Sequence, residues 1–80
     1  MQKIDLNTHI PDECNSIEIQ VTTAPRRQQL GIYRSAFDPE PILMWDGVTT
    51  IIGRPQDKCL YVETGSVVTA FEVRVCRWFR

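Results

Sequence analysis

Eighty residues with a formal net charge of −1 are enough for one small domain and leave no room for a second. The near-neutral charge counts against a broadly basic nucleic-acid binder, and together with an apolar share of 42% it also counts against intrinsic disorder. We therefore expect a single domain over residues 1–80 with a small core.

The cysteines and the amino-terminal residues indicate a cytoplasmic protein. Residues 1–7 have no apolar stretch long enough for a signal peptide, and no later run approaches the length of a membrane span. Cys14, Cys59 and Cys76 are an odd number of cysteines at wide spacing, unlike the disulfide framework of a small secreted domain. We expect reduced, buried thiols.

The first part of the chain predicts two strands. Ile4 and Leu6 alternate weakly with polar residues, which predicts a short edge strand over 3–7, before a loop over 8–15. Over 16–22, apolar residues at positions 17, 19 and 21 alternate with polar ones, the period of a strand with one buried face.

The next segment fits two structures. Apolar residues at positions 30, 33 and 37 have helical spacing, and a proline in the first turn would suit a helix over 24–36. Gly31 in the middle of that helix would cost about 1 kcal/mol relative to alanine. Residues 30–33 also fit a strand that returns from a turn at 24–28 and forms a hairpin with the preceding strand. We prefer the hairpin and keep the helix as the alternative.

Prolines at positions 39 and 41 break the chain before its strongest local signal. The apolar run 42–45, the pair Asp46-Gly47 and the β-branched run 48–52 predict a hairpin with a two-residue type I′ turn. A further strand is expected over 59–63, after a turn at 53–58.

The last fourteen residues carry a clear strand pattern and an unusual end. Apolar residues and one threonine at positions 67, 69, 71, 73 and 75 share one parity, which predicts a core strand over 67–75. The strand runs into Cys76-Arg77-Trp78-Phe79-Arg80. Together with Arg74, this end places three arginines and two large aromatic residues within seven positions.

These elements predict an all-β fold. The expected form is a small antiparallel meander, sheet or partly closed barrel of five to seven short strands, in which consecutive strands pair. A helix over 24–36 would make the fold α+β instead.

No group of residues predicts catalysis or a cofactor. His9, Cys14, Cys59 and Cys76 form a donor set that suits tetrahedral zinc, but the set lacks the closely paired ligands of structural zinc sites. His9 is the single histidine, and no glycine-rich elbow or phosphate-binding loop marks a nucleophile or a nucleotide site. We therefore expect a protein that is not an enzyme and that holds no metal or cofactor.

Binding to another protein is the function that we expect. Arginine and tryptophan are enriched at interfaces, and an inhibitor or regulator of a larger macromolecular machine, of the kind that phages and mobile elements carry, or a structural subunit of an assembly would fit this size. An exposed edge strand could also pair with a second copy to form a homodimer. For Trp45 a core position is favoured over an exposed one. The candidate partner-binding residues are Trp45, Arg74, Arg77, Trp78 and Arg80.

A nucleic-acid-binding barrel is the alternative function. The arginines and aromatic rings at the carboxyl end, joined by Arg26, Arg27 and Tyr33, could supply a basic groove and platforms for stacked bases. The net charge of −1 counts against it, because phosphate contacts dominate such affinities.

Overall fold

The computed structural model describes every residue from Met1 to Arg80 and contains seven β-strands and one short 3₁₀ turn. All paired strands are antiparallel. The all-β prediction is therefore confirmed. No helix spans enough apolar residues to cross a lipid bilayer. The bounds are Gln2–Asp5 (β1), Ser16–Ala24 (β2), Gln29–Tyr33 (β3), Ile42–Trp45 (β4), Thr49–Gly53 (β5), Cys59–Thr64 (β6) and Ala70–Phe79 (β7), with the 3₁₀ turn at Gln56–Lys58.

The strands form two sheets that do not close into a barrel. Sheet A has the strand order β1-β6-β3-β4, and sheet B has the order β5-β2-β7. Only β3 and β4 are neighbours both along the chain and within a sheet, so every other connection crosses from one sheet to the other. The edge strands are β1 and β4 in sheet A and β5 and β7 in sheet B.

One apolar core lies between the two sheets. Alternate residues of β2 at positions 17, 19 and 21 are fully buried, as the sequence pattern predicts. The segment between β1 and β2 turns across one end of the core. The buried cluster consists of Leu6, Ile10, Cys14, Ile17, Ile19, Val21, Leu30, Ile32, Met44, Ile52, Leu60 and Val62.

The segment that fitted either a helix or a hairpin contains β3, so the helix over 24–36 is wrong. Gly31 lies in the middle of sheet A, opposite Leu43 of β4 and Glu63 of β6. A Cβ atom on residue 31 would lie 3.1 Å from the Cβ of Pro41. The glycine that weakens a helix therefore allows Pro41 to pack closely against the sheet.

Both predicted hairpins contain the right strands but the wrong pairing. β2 pairs with β5 and β7, whereas β3 pairs with β4 and β6. In the turn after β4, the Trp45 carbonyl accepts a hydrogen bond from the Val48 N–H at 3.0 Å. Gly47, with φ of 82°, is the one central residue of this turn with positive φ, which makes it type II rather than type I′. A type II turn splays its strands, and here it leads them into different sheets.

Asp46 links the two connections that were predicted as hairpin turns, β2 to β3 and β4 to β5. Each is a crossover, a connection that passes from one sheet to the other. Its Oδ1 accepts a hydrogen bond from the Thr23 N–H and its Oδ2 one from the Arg27 N–H, both at 2.9 Å. The bonds from Arg27 and Thr23 lower the pKa of Asp46. In the same turn the Gly47 N–H donates to the Val21 carbonyl at 2.8 Å. The turn between β4 and β5 is thereby tied to the connection between β2 and β3.

A β-bulge at Cys76 divides β7. Val75 lies opposite Ile19 of β2 and Arg77 lies opposite Glu18, so Cys76 is an extra residue without a partner. The bulge reverses the alternation of side chains along β7. Before it, Phe71, Val73 and Val75 face the core at odd-numbered positions, and after it Trp78 faces the core at an even-numbered position. The predicted core strand over 67–75 is correct from Phe71 onwards, whereas Val67 precedes β7 and is 59% exposed.

Candidate protein interface

Two apolar side chains of β4 point to solvent. Met44 is buried and Ile42 packs against the core, while Leu43 and Trp45 on the opposite parity are 61% and 54% exposed. The expectation that Trp45 is a core residue is wrong, because Ile42 and Met44 occupy the two inward positions of this short strand. Exposed apolar side chains that share one face are typical of an interaction site.

A shallow depression of about 310 Å³ lies beside Leu43 on the outer face of sheet A. Its floor is Gly31, and the cross-strand neighbours Leu43 and Glu63 stand on either side of it. Pro41 packs where a side chain at residue 31 would lie, so the open space is the part bounded by Gln29, Leu43, Glu63 and Thr64. Gln29, which pairs with Trp45, lines one end.

Aromatic residues continue the same face. Tyr33 and Tyr61 are directly opposite each other on β3 and β6, and both are half-buried. Burial and the carboxylate of Glu63 raise the pKa of Tyr33, so its phenol stays protonated at neutral pH. Phe37, in the connection between β3 and β4, is 89% exposed and lines a small hollow with Tyr61. We refer to Tyr33, Phe37, Leu43, Trp45 and Tyr61 as the sheet A patch.

The arginines of the carboxyl end lie away from this patch. Arg74 and Arg77 are exposed on the outer face of sheet B. The Nε of Arg77 is 3.3 Å from Oε1 of Glu18, and Nη2 of Arg74 donates to Oε1 of Gln20 at 3.0 Å. Glu18 neutralises part of the positive charge that the nucleic-acid alternative requires. Arg80 is exposed at the chain end.

Trp78 and Phe79 point in opposite directions. Trp78 faces inward, opposite Ile17, and is half-buried against the core. Phe79 faces outward, with its ring centroid 5.4 Å from the guanidinium carbon of Arg77. The five residues selected from the sequence therefore do not form one surface, because Trp45 lies on sheet A, Trp78 lies against the core and the arginines lie on sheet B or beyond it.

Leu43, Phe37 and Tyr61 were not predicted as binding residues from the sequence. The run Ile42–Trp45 is apolar at all four positions, which suggests a strand buried on both faces. Because each strand of an antiparallel sheet packed on one core turns one face to solvent, one parity of this apolar run is exposed, and in the structure that parity includes Leu43 as well as Trp45. No pattern marks Phe37, whose exposure depends on the loop.

The zinc donor set is dispersed. Cys14 and Cys59 are buried, and their thiols donate to the carbonyls of Ser16 and Asp57, each at 3.3 Å. His9 and Cys76 are exposed, so the expectation of buried thiols is wrong for Cys76. No group of three or more His, Cys, Asp or Glu side chains is placed to hold a metal ion.

Comparison with protein-family models, with curated proteins and with solved structures finds no significant match.

Proposed function

We propose that this protein is a cytoplasmic, non-enzymatic module that binds another protein through the sheet A patch. The observation that carries the proposal is the pair Leu43 and Trp45, both more than half exposed at successive outward positions of one strand. Single exposed apolar residues are ordinary on protein surfaces. Four large apolar or aromatic side chains on the outer face of sheet A, with the exposed Phe37 beside Tyr61, are the composition of an interface centre.

The partner that suits this face inserts an apolar side chain into the depression beside Leu43. Leu43 offers apolar contact there. Trp45, the next outward residue of β4, lies opposite Gln29 at one end of the depression, and tryptophan is among the residues whose truncation most weakens interfaces. Glu63 and Gln29 at the rim can accept or donate hydrogen bonds and so orient the bound segment.

The size of the chain and its thiols support the setting that we propose. A standard interface covers about 800 Å² on each partner, roughly a sixth of the 5156 Å² surface of this protein. One face is therefore enough for a small inhibitor or regulator of a larger macromolecular machine, such as those of phages and mobile elements, or for a structural subunit of an assembly. Three free cysteines favour a reducing compartment.

The test is affinity purification from the source cell with the wild-type protein and four variants. We expect Trp45→Ala and Leu43→Ala each to lose the partner that the wild type enriches, because truncation of an anchor tryptophan costs about 2 kcal/mol or more, a roughly thirtyfold weaker affinity. Ile51→Ala is the matched control, because Ile51 is 58% exposed on the outer face of sheet B.

The measurement is quantitative mass spectrometry of the captured proteins, with circular dichroism to confirm that each variant is folded. Retention of the partner by a double Leu43→Ala, Trp45→Ala variant would contradict the proposal, as would equal loss with Ile51→Ala.

A further inference from the structure

β7 is the longest strand, and one of its two edges is unpaired. It has ten residues, whereas the other edge strands have four or five. It pairs with β2 along one edge, and no strand pairs with the other. An unpaired edge of this length presents backbone N–H and C=O groups that can pair with another strand, although a cavity of about 220 Å³ beside residues 72–75 is also lined by Ile4, Leu6 and His9.

The side chains of this edge alternate between apolar and charged. Phe71, Val73 and Val75 are half-buried against the core, whereas Glu72 and Arg74 are exposed on the outer face of sheet B. The two ion pairs of the chain, Lys58 with Asp12 and Arg77 with Glu18, involve neither Glu72 nor Arg74. The Glu72 carboxylate and the Arg74 guanidinium, which donates only to the neutral side chains of Gln20 and Cys76, thus stand two positions apart on the unpaired edge.

This arrangement is self-complementary in one register. When a strand pairs antiparallel with its own copy, directly opposite residues point to the same face of the sheet. Opposite positions must therefore both be odd or both be even, and the two-fold axis then passes through a residue and not between two residues. An axis at Val73 places Glu72 of each copy opposite Arg74 of the other and Phe71 opposite Val75. An axis at Glu72 or at Arg74 would instead place two like charges directly opposite each other, which is unfavourable.

We propose that two copies of the protein pair antiparallel through β7, with the two-fold axis at Val73. The two three-stranded sheets then form one continuous sheet of six strands. On its inner face, Phe71 and Val75 make aromatic to β-branched pairs, a favourable cross-strand combination, and on its outer face two ion pairs form. The ladder extends from Ala70 to Cys76, where the bulge of β7 interrupts the regular geometry.

The first test exchanges charges. The wild-type chain is expected to sediment as a dimer, and Arg74→Glu to weaken dimerisation at least about tenfold, because it creates two opposed carboxylate pairs. The double variant Glu72→Arg, Arg74→Glu restores both opposite-charge pairs and is expected to recover the dimer. Glu40→Arg, in an exposed loop, is the charge control.

Sedimentation equilibrium over a concentration series measures these constants, with circular dichroism to verify folding. A wild-type chain that stays monomeric at its highest soluble concentration would overturn the proposal. So would a folded Arg74→Glu variant that dimerises as tightly as the wild type, or a double variant that fails to recover.

The second test reads the register directly. In the proposed dimer Ala70 lies opposite Cys76 of the second copy, at the separation of cross-strand neighbours, which a disulfide can span. Within one chain the same residues are separated along β7 by roughly 20 Å, which a disulfide cannot span. Ala70→Cys is therefore expected to form a covalent dimer on mild oxidation, at twice the 9.3 kDa of the chain.

The controls are the wild type, which of the two thiols has only the one at position 76, and an Ala70→Cys, Cys76→Ser variant, which has only the one at position 70. Each should form at least about tenfold less covalent dimer than Ala70→Cys. Equal cross-linking of all three would contradict the register. Both tests use the purified protein alone, and Trp45→Ala is expected to dimerise like the wild type. A monomeric wild-type chain would therefore contradict the β7 dimer and leave the proposed binding through the sheet A patch unaffected. Retention of the partner by the sheet A variants would likewise leave the β7 dimer unaffected.

Discussion

Trp45 and Trp78 have the same side chain, and the strands that carry them give them different roles. Trp45 occupies an outward position of β4 and is 54% exposed. Trp78 lies opposite Ile17 on β7 and packs against the core beneath sheet B. Substitution of each by alanine separates a contribution to binding from a contribution to stability.

We expect Trp78→Ala to lower the free energy of unfolding by about 2 kcal/mol, near half of the loss for a fully buried aromatic residue. For a domain of this size that corresponds to a fall of roughly 10 °C in Tm. Trp45→Ala should stay within about 0.5 kcal/mol of the wild type, since its ring contributes little to the core. Thermal denaturation followed by circular dichroism measures both, and equal losses for the two variants would contradict these placements.

Individual residues were predictable from the sequence where the alternation of the strand was regular. The buried positions of β2 and the inward positions 71, 73 and 75 of β7 follow from a period of two. Trp78 could not be placed in this way, because uninterrupted alternation would turn it to the same side as Arg74. One extra residue at Cys76 reverses the parity, and no residue type in that stretch signals a bulge.

At the scale of the strand, the bulge decides which residues of β7 enter the core. Deletion of Cys76 removes the unpaired residue and leaves every other partner on β2 unchanged, since Val75 then precedes Arg77 directly. We expect this variant to fold, to keep Trp78 against the core and to remain within about 1 kcal/mol of the wild type.

Deletion of Arg74 is the matched control for the loss of Cys76. It also removes one residue from β7, but it turns Val75 outward and brings Cys76 to its place opposite Ile19. The loss of apolar burial should make this variant less stable than the Cys76 deletion by about 1 kcal/mol. Urea denaturation at protein concentrations where the chain is monomeric measures the difference. The reverse order of stability would show that the bulge itself contributes to the fold.

Strand positions were predictable from the sequence, but strand partners were not. Each of the apolar or β-branched runs forms a strand close to its predicted bounds. Asp46-Gly47 fits a hairpin turn equally well whether its flanking strands pair or separate, because the glycine supplies positive φ in both cases. The difference depends on contacts that Asp46 makes with Thr23 and Arg27, about twenty positions earlier in the chain. The sheet A patch was missed for the same reason, since it depends on which strands lie side by side in sheet A.

At the scale of the whole molecule, the two sheets are held together by the core and by the crossovers that connect them. Asp46 is the residue where two of these crossovers meet, and its carboxylate accepts one backbone hydrogen bond at each oxygen. A second acidic residue, Asp12, makes an ion pair with Lys58, in which Oδ1 lies 2.6 Å from Nζ. Asp12 is almost fully exposed, so solvent and salt screen this pair strongly.

The pKa of Asp46 is lowered by the N–H groups of Arg27 and Thr23, and this direction fixes how stability depends on pH. A carboxyl group with a lowered pKa in the folded state stabilises that state above its unfolded pKa of about 3.9. The stabilisation is lost as pH falls through the folded value. We therefore expect Asp46→Asn to lower Tm at pH 7 and to flatten the fall of Tm below about pH 4 relative to the wild type.

Asp12→Asn is the comparison, because the pKa of Asp12 is also lowered, by its hydrogen bond and ion pair with Lys58. At pH 7 its loss of Tm should be smaller, and it should shrink at high salt, which screens an exposed ion pair. The loss in Asp46→Asn should persist at high salt, because a variant amide nitrogen still faces a backbone N–H that it cannot satisfy. Melting curves at low and high salt measure the Tm deficit of each variant relative to the wild type. If high salt removes the deficit of Asp46→Asn as fully as that of Asp12→Asn, the carboxylate acts as a surface charge and does not hold the two crossovers together.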